Sequence, residues 1–163
     1  MNLRSDHPHE ELHLYPWHTD YAYNFSSINS LVFWIPLQEV NEINGALHVI
    51  PGSHKFSHQV AFDYNAINAK RSANYFEILD VDSLVRQKGE IRCPLRLGEC
   101  LVFHSKLIHK SGINMSNDIR YAVQSRWFDA NAEDAISHHF LGGIDEGIDP
   151  ASYLLNNGDF DVK

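Results

Sequence analysis

From Ser30 to Phe128 the chain is a succession of short runs rich in β-branched and aromatic residues, each cut off by glycine, proline or asparagine. Ser30–Leu37, Ala46–Ile50, Tyr75–Leu79, Glu90–Leu95, Cys100–Phe103 and Ile119–Phe128 are runs of this kind. Glu11–Tyr15 alternates polar and apolar residues and reads as a further short strand, after an irregular lead-in over Met1–Glu10. Turns fall at Asn41–Gly45, Pro51–Lys55, Arg96–Glu99 and Ser111–Asp118, with Gly52 free to take a positive φ. Pro36 predicts that its strand ends or lies on an edge there. Asp80–Lys88, ahead of Gly89, is a short helix or turn, and Phe56–Asn74 is a loop without a clear period. Loops of that length in small domains often serve as lids or binding segments. Many short strands and little helix predict an all-β sandwich or barrel. The jelly-roll barrel, with a mouth at one end, is the version best suited to hold an ion.

At 163 residues the chain fits a single domain, 1–163, with its core over 10–128 and an acidic, glycine-containing surface tail over 129–163. Lys+Arg 13 against Asp+Glu 21 gives a net charge of −8. That balance argues against nucleic acid as a partner and against a polybasic membrane anchor. No apolar run approaches the roughly 20 residues that span a bilayer. Met1–Glu11 is polar and lacks the apolar stretch of a signal peptide, so a cytoplasmic location is expected. Cys93 and Cys100 are then expected to be buried, reduced thiols, and the sequons at Asn24 and Asn114 to be coincidental.

His18-Thr19-Asp20 carries the chemistry. On an extended segment residues i and i+2 point to the same face, so this imidazole and carboxylate can close on one ion. Imidazole and carboxylate with open metal positions is the donor set of non-haem Fe(II) sites that activate oxygen. In a chain with 11 His the tripeptide alone is unspecific, and one more His is needed. His104 and His109 are the candidates; His109 falls where a strand meets a turn, just before Lys110-Ser111-Gly112. Eleven residues further on, Arg120 lies on the returning strand, where a guanidinium can grip a carboxylate with two parallel hydrogen bonds.

Four blocks in order resemble the phytanoyl-CoA dioxygenase family of Fe(II)/2-oxoglutarate oxygenases. They are Pro16 to Asp20, Val32 to Leu37, Asn44 to Lys55, and Leu97 to Gly112 with Asn114, Ser116 and Arg120. The resemblance implies a cupin-like double-stranded β-helix. It implies that His18, Asp20 and His109 hold iron, and that Arg120 binds the far carboxylate of 2-oxoglutarate with Ser111 beside it. Trp34 matches a family tryptophan near the cosubstrate. The implied reaction is hydroxylation of an unactivated C–H bond of a small organic substrate by dioxygen, with 2-oxoglutarate converted to succinate and CO2. A carboxylate at position 20 favours hydroxylation, because related halogenases leave that metal position to chloride.

Members of that family carry a long segment before the His-x-Asp, whereas 17 residues precede it here. A truncated or reduced version is therefore expected, with exposed sheet surface that a homodimer would cover. For the substrate, Tyr21, Tyr23, Phe25, Trp127 and the 56–74 loop are expected at the mouth, and Arg126 faces either pocket or solvent. His48, His54, His58, His138 and His139 are expected to be surface or structural. Two other readings are a metal-binding barrel without catalysis and a cupin-like metalloenzyme that does not use 2-oxoglutarate. Arg120 argues against the second, which has no need of it.

Overall fold

A computed structural model describes residues 1–24, 26–62, 76–137 and 161–162, and the strands group around the longest of them, β9 (Arg120–Phe128). It pairs with β1 (Asn2–Asp6) on one side and β2 (Ser30–Pro36) on the other, and β7 (Leu101–His104) completes an antiparallel sheet in the order β1-β9-β2-β7. β3 (Leu47–Val49) stands between β6 (Ile91–Cys93) and β8 (His109–Lys110) in a second antiparallel sheet. A third sheet joins β4 (Gln59–Phe62) to β5 (Phe76–Ile78) antiparallel and to β10 (Asp161–Val162) parallel. Helical structure among the described residues is limited to α1 (Val81–Lys88), α2 (Glu133–Ser137) and 3-10 turns at Asp20–Tyr23 and Ser53–Lys55. This is the expected all-β jelly roll, a double-stranded β-helix.

Strand alternation builds the core. Val32 and Trp34 of β2, Phe103 of β7 and Ala122 of β9 face Leu47 and Val49 of β3, so the first two sheets share one apolar interior. A second cluster gathers Tyr21, Ile50, Val60, Phe76, Ile78, Leu84 and Ile108 under β4, β5 and α1. The opposite face of the four-stranded sheet leaves Leu3, Leu31, Val102 and Trp127 exposed. Pro36 closes β2 where only β9 still pairs with it, the β7 pairing having stopped at Trp34. A missing N–H costs nothing there.

Several segments differ from the sequence expectation. Asn2–Asp6 is a strand, whereas Glu11–Tyr15 forms turns and no strand. Gln59–Phe62 is a strand inside the expected loop; residues 63–74 of that loop lie outside the described residues, as do Phe25, His138 and His139. The stretch after Asp129 begins with docked structure: Ala135 of α2 is buried, and Asp134 accepts hydrogen bonds from the Ser27 hydroxyl (2.8 Å) and the Ile28 amide (2.5 Å). The cysteines are free as expected but not buried, because Cys93 is half-covered at the end of β6 and Cys100 sits exposed before β7.

Candidate metal centre

Two backbone hydrogen bonds create the site. His18 N–H donates to the His109 carbonyl (2.9 Å) and His109 N–H to that of His18 (3.0 Å). This isolated antiparallel bridge sets the residues opposite each other, with ring centroids 4.1 Å apart. Thr19 is extended (φ −116°, ψ 141°), so Asp20 returns to the same face as His18 before the 3-10 turn begins. The Asp20 Oδ1 lies 3.7 Å from His18 Nε2 and 4.0 Å from His109 Nε2. The three candidate donor atoms all fall within 4.8 Å of one another, and all three residues are buried.

The hydrogen bonds fix which nitrogen is available. Nδ1 of His18 lies 2.7 Å from the Pro16 carbonyl, and Nδ1 of His109 lies 2.9 Å from that of Leu107. A carbonyl only accepts, so each Nδ1 carries the proton and each Nε2 presents its lone pair to the site. Burial, and after it the neighbouring His109, pushes the His18 imidazole down to about 3; burial also lowers His109. Both rings are thus neutral donors at physiological pH. Burial by itself would raise the Asp20 carboxyl, but the Arg126 guanidinium foremost, and then the two imidazoles, hold it below the usual carboxylate range. Asp20 Oδ2 is buried without a hydrogen-bond partner. Two neutral nitrogens and one carboxylate, with an oxygen otherwise unsatisfied, fit a divalent cation of the Fe(II) type.

Aromatic rings close the site. His109 meets Phe103 edge-on at 4.7 Å, and His18 lies between Tyr15 (5.0 Å) and Tyr23 (5.8 Å). His104 stays outside: it stacks on His54 at 5.5 Å, and its Nδ1 accepts from the Lys106 amide. His58 is buried against the Ser53 carbonyl, and His48 pairs with Glu90.

Arg120 is fully buried, with its guanidinium carbon 5.3 Å over the Trp34 ring. Its Nη2 donates to Asp6 and its Nη1 to the Gly45 carbonyl, while Nε has no partner. Trp34, also fully buried, is thus the floor of the Arg120 site. Ser111 is not brought to Arg120 by any described contact. It lines a shallow cleft of about 400 Å³ with Tyr15, His48 and Lys110. Of the expected substrate residues, Tyr21 is core, fully buried beside Ala22 and Ile50, because the 3-10 turn directs it inward. Tyr23 borders the His18 ring, and Trp127 stands at the rim of a cavity of about 110 Å³ beside Asp20, which Asn24, Ser27, Ser30 and Ser105 also line.

The sequence left Arg126 open between pocket and solvent, and it missed two residues, Arg4 and Asp6. Arg126 Nη2 donates to Asp20 Oδ1 (2.9 Å) and its Nε is buried without a partner. The even spacing from Arg120 to Arg126 on one strand carried that signal, because it puts both on the inner face. Arg4 and Asp6, on the strand read as a lead-in, close over Arg120.

With this geometry stand the likenesses to known proteins. The phytanoyl-CoA dioxygenase (PhyH) family pattern matches residues 5–122. Peroxisomal phytanoyl-CoA dioxygenase of Bos taurus is 32% identical over 129 residues, which cover 78% of this chain and 35% of that protein. A probable alpha-ketoglutarate-dependent hypophosphite dioxygenase of Stutzerimonas stutzeri is 31% identical over 121 residues, 68% of this chain and 40% of that one. The chain thus spans little more than a third of the length of these relatives. The crystal structure of EctD from S. alaskensis with 2-oxoglutarate and 5-hydroxyectoine shares the fold, with a TM-score of 0.59 at 19% identity over 78% of this chain and 42% of that one.

Proposed function

The chain belongs to the phytanoyl-CoA dioxygenase family, and from that premise we propose that it is an Fe(II)- and 2-oxoglutarate-dependent oxygenase that hydroxylates a C–H bond of a small organic substrate. The observation that carries this reading is the buried His18–Asp20–His109 cluster, with both imidazoles held by their Nδ1 atoms so that Nε2 faces the carboxylate. Iron bound there supplies, with 2-oxoglutarate and dioxygen, the oxidising power for the hydroxylation, and the keto acid leaves as succinate and CO2.

The remaining work belongs to the chain. Three donors on one side of a cation leave the other side to ligands. Arg126 orients Asp20 through Oδ1. Phe103, Tyr15 and Tyr23 keep water away from the imidazoles, which strengthens every polar interaction at the site. Arg120 takes the far carboxylate of the keto acid above Trp34. The substrate approaches through the cavity beside Asp20, with Trp127 at its rim.

One observation favours the alternatives that do without 2-oxoglutarate, a metal-binding barrel without catalysis or a cupin-like metalloenzyme: both Nη atoms of Arg120 already have acceptors within the protein. Anaerobic titration with Fe(II) and then 2-oxoglutarate separates these from the proposal. The proposal expects the weak visible metal-to-ligand charge-transfer band of a chelated keto acid, lost in His109→Ala and Arg120→Ala. Fe(II) binding without such a band, in folded protein, selects a barrel that does not use 2-oxoglutarate.

A further inference from the structure

Arg4, Asp6 and Arg120 form a closed group: two guanidiniums face one carboxylate, with Asp6 5% exposed and Arg120 0%. Asp6 stands directly opposite Arg120 in the β1–β9 register, so the contact follows from strand pairing. Resting on the 2-oxoglutarate reading, we propose that Asp6 is an internal stand-in for the far carboxylate of the cosubstrate, holding Arg120 until the cosubstrate arrives and then passing to Arg4.

A carboxylate gripped by Arg120 needs two of its N–H groups side by side. Nη1 gives one of its two N–H groups to the Gly45 carbonyl and Nη2 one of its two to Asp6, while Nε has no partner. A second carboxylate therefore competes with Asp6 for the charge of one guanidinium, and of the two acceptors only one can yield. The Gly45 carbonyl is backbone, pinned where the chain at Gly45 meets the chain at Gly112 so closely that a Cβ on Gly112 would stand 2.3 Å from the Ala46 oxygen. Asp6 is a side chain on an edge strand, and it is the group that can leave.

Leaving costs Asp6 little, because its other partner is already in place. Arg4 Nε lies 2.9 Å from Oδ1 and 3.0 Å from Oδ2, and Nη2 lies 2.6 Å from Oδ1. Arg4 is itself fixed by a hydrogen bond to the His13 carbonyl (3.0 Å) and by its stacking over Tyr15 (4.9 Å). Charge points the same way. The trio carries one excess positive charge, and a buried charge without a counter-ion is costly. One carboxylate from outside restores the balance, leaving each guanidinium with an anion of its own. Asp6 therefore sets the affinity for the cosubstrate as a competitor, and Arg4 lowers the cost of its displacement.

The test is calorimetric titration of 2-oxoglutarate into the Mn(II)-loaded chain, in the native protein, Asp6→Asn and Arg4→Lys. Asp6→Asn removes the competing charge and is expected to tighten binding on the order of tenfold, the equivalent of ~1.4 kcal/mol. Arg4→Lys keeps the charge but loses the fork that receives Asp6, and is expected to weaken binding several-fold. A purely structural role for the trio lowers affinity in both variants or changes neither, and either result overturns the proposal. Should Asp6→Asn fail to fold, Asp6→Ser takes its place: tighter binding than in the native chain supports the hand-off, and equal or weaker binding ends it. Equal affinity in all three overturns the competition and leaves the 2-oxoglutarate reading standing. No binding in any of them, with Mn(II) bound, overturns that reading and the hand-off together.

Discussion

Asp20 answers to two cations. Its Oδ1 already accepts from Arg126, and the same carboxylate is a candidate metal donor. With both imidazoles neutral, the positive charge of Arg126 offsets part of the attraction that the Asp20 carboxylate offers to a dication entering alone. A guanidinium one carboxylate away from a dication (about 5–6 Å) opposes it by roughly 5–7 kcal/mol at an effective ε of about 20. An anionic co-ligand on the metal would offset that repulsion, because it would be attracted by both the metal and the guanidinium. Metal and 2-oxoglutarate should therefore bind with positive coupling, and by linkage each should tighten the other by the same factor, within the ~5–150-fold span of such effects. Arg126→Gln is expected to bind Mn(II) more tightly than the native chain when the metal is alone, and to lose most of the enhancement by 2-oxoglutarate. Metal titrations with and without the keto acid check both halves. Weaker Mn(II) binding in Arg126→Gln would instead make Arg126 a prop for the Asp20 side chain, with its charge of little consequence.

Among the elements, the joint between the Asn41–Gly45 turn and the strand end after β8 is the tightest. Gly45 has φ +90°, and a Cβ there would lie 2.7 Å from the Gly112 carbonyl oxygen. Both partners are backbone and neither can rotate away. Gly112→Ala is expected to cost about 1–3 kcal/mol, toward the upper end of that overpacking range, and to displace the carbonyl that holds Arg120. Gly98 has φ +92°, yet a Cβ added there would meet nothing within 4 Å, so it isolates the backbone strain alone. Gly98→Ala should cost only ~1–2 kcal/mol. Denaturant unfolding of the two variants compares them, and an equal or smaller loss for Gly112→Ala would show that the joint relaxes. The elements also show what the sequence makes readable. β2 and β9 were legible because branched and aromatic residues fill them, and His18-x-Asp20 because an extended i, i+2 pair needs no distant information. β1 was not. Its inward side chains, Arg4 and Asp6, are charged, and their partner Arg120 lies 114 positions along the chain from Asp6, beyond any local pattern. Glu11–Tyr15 misled for the opposite reason: it alternates, but no strand pairs with it, and Leu12 is left exposed. His109 was separable from His104 by family resemblance alone, since the bridge to His18 that selects it is a tertiary contact.

Across the whole molecule, the candidate metal centre lies where the two apolar clusters meet. Asp20 leads directly into Tyr21 and Ala22 of one cluster, and His109 rests on Phe103 of the other. The donors also come from segments far apart in the sequence, His18 and Asp20 ahead of β2 and His109 in β8. A bound cation would therefore be a further strut between them, beside the backbone bridge and the packing that already join them. An ion that binds the folded chain and not the unfolded one stabilises it by about 2.7 kcal/mol at a free concentration 100 times its dissociation constant. In a chain of this size each kcal/mol raises the unfolding temperature by roughly 2–4 °C. Saturating Mn(II) should thus raise it by about 5–10 °C, and a chelator should remove the gain. His109→Ala should unfold at the same temperature with and without metal. It should also lie below the metal-free native chain, because Phe103 loses its partner. The sharper comparison is the breadth of the transition in the metal-free protein. If the ion is the strut between the two clusters, its removal should broaden the unfolding or split it in two, and metal should restore a single sharp step. A single sharp transition at the same temperature in both states would mean that the shared sheet already couples the clusters, and that the metal contributes chemistry without contributing cohesion.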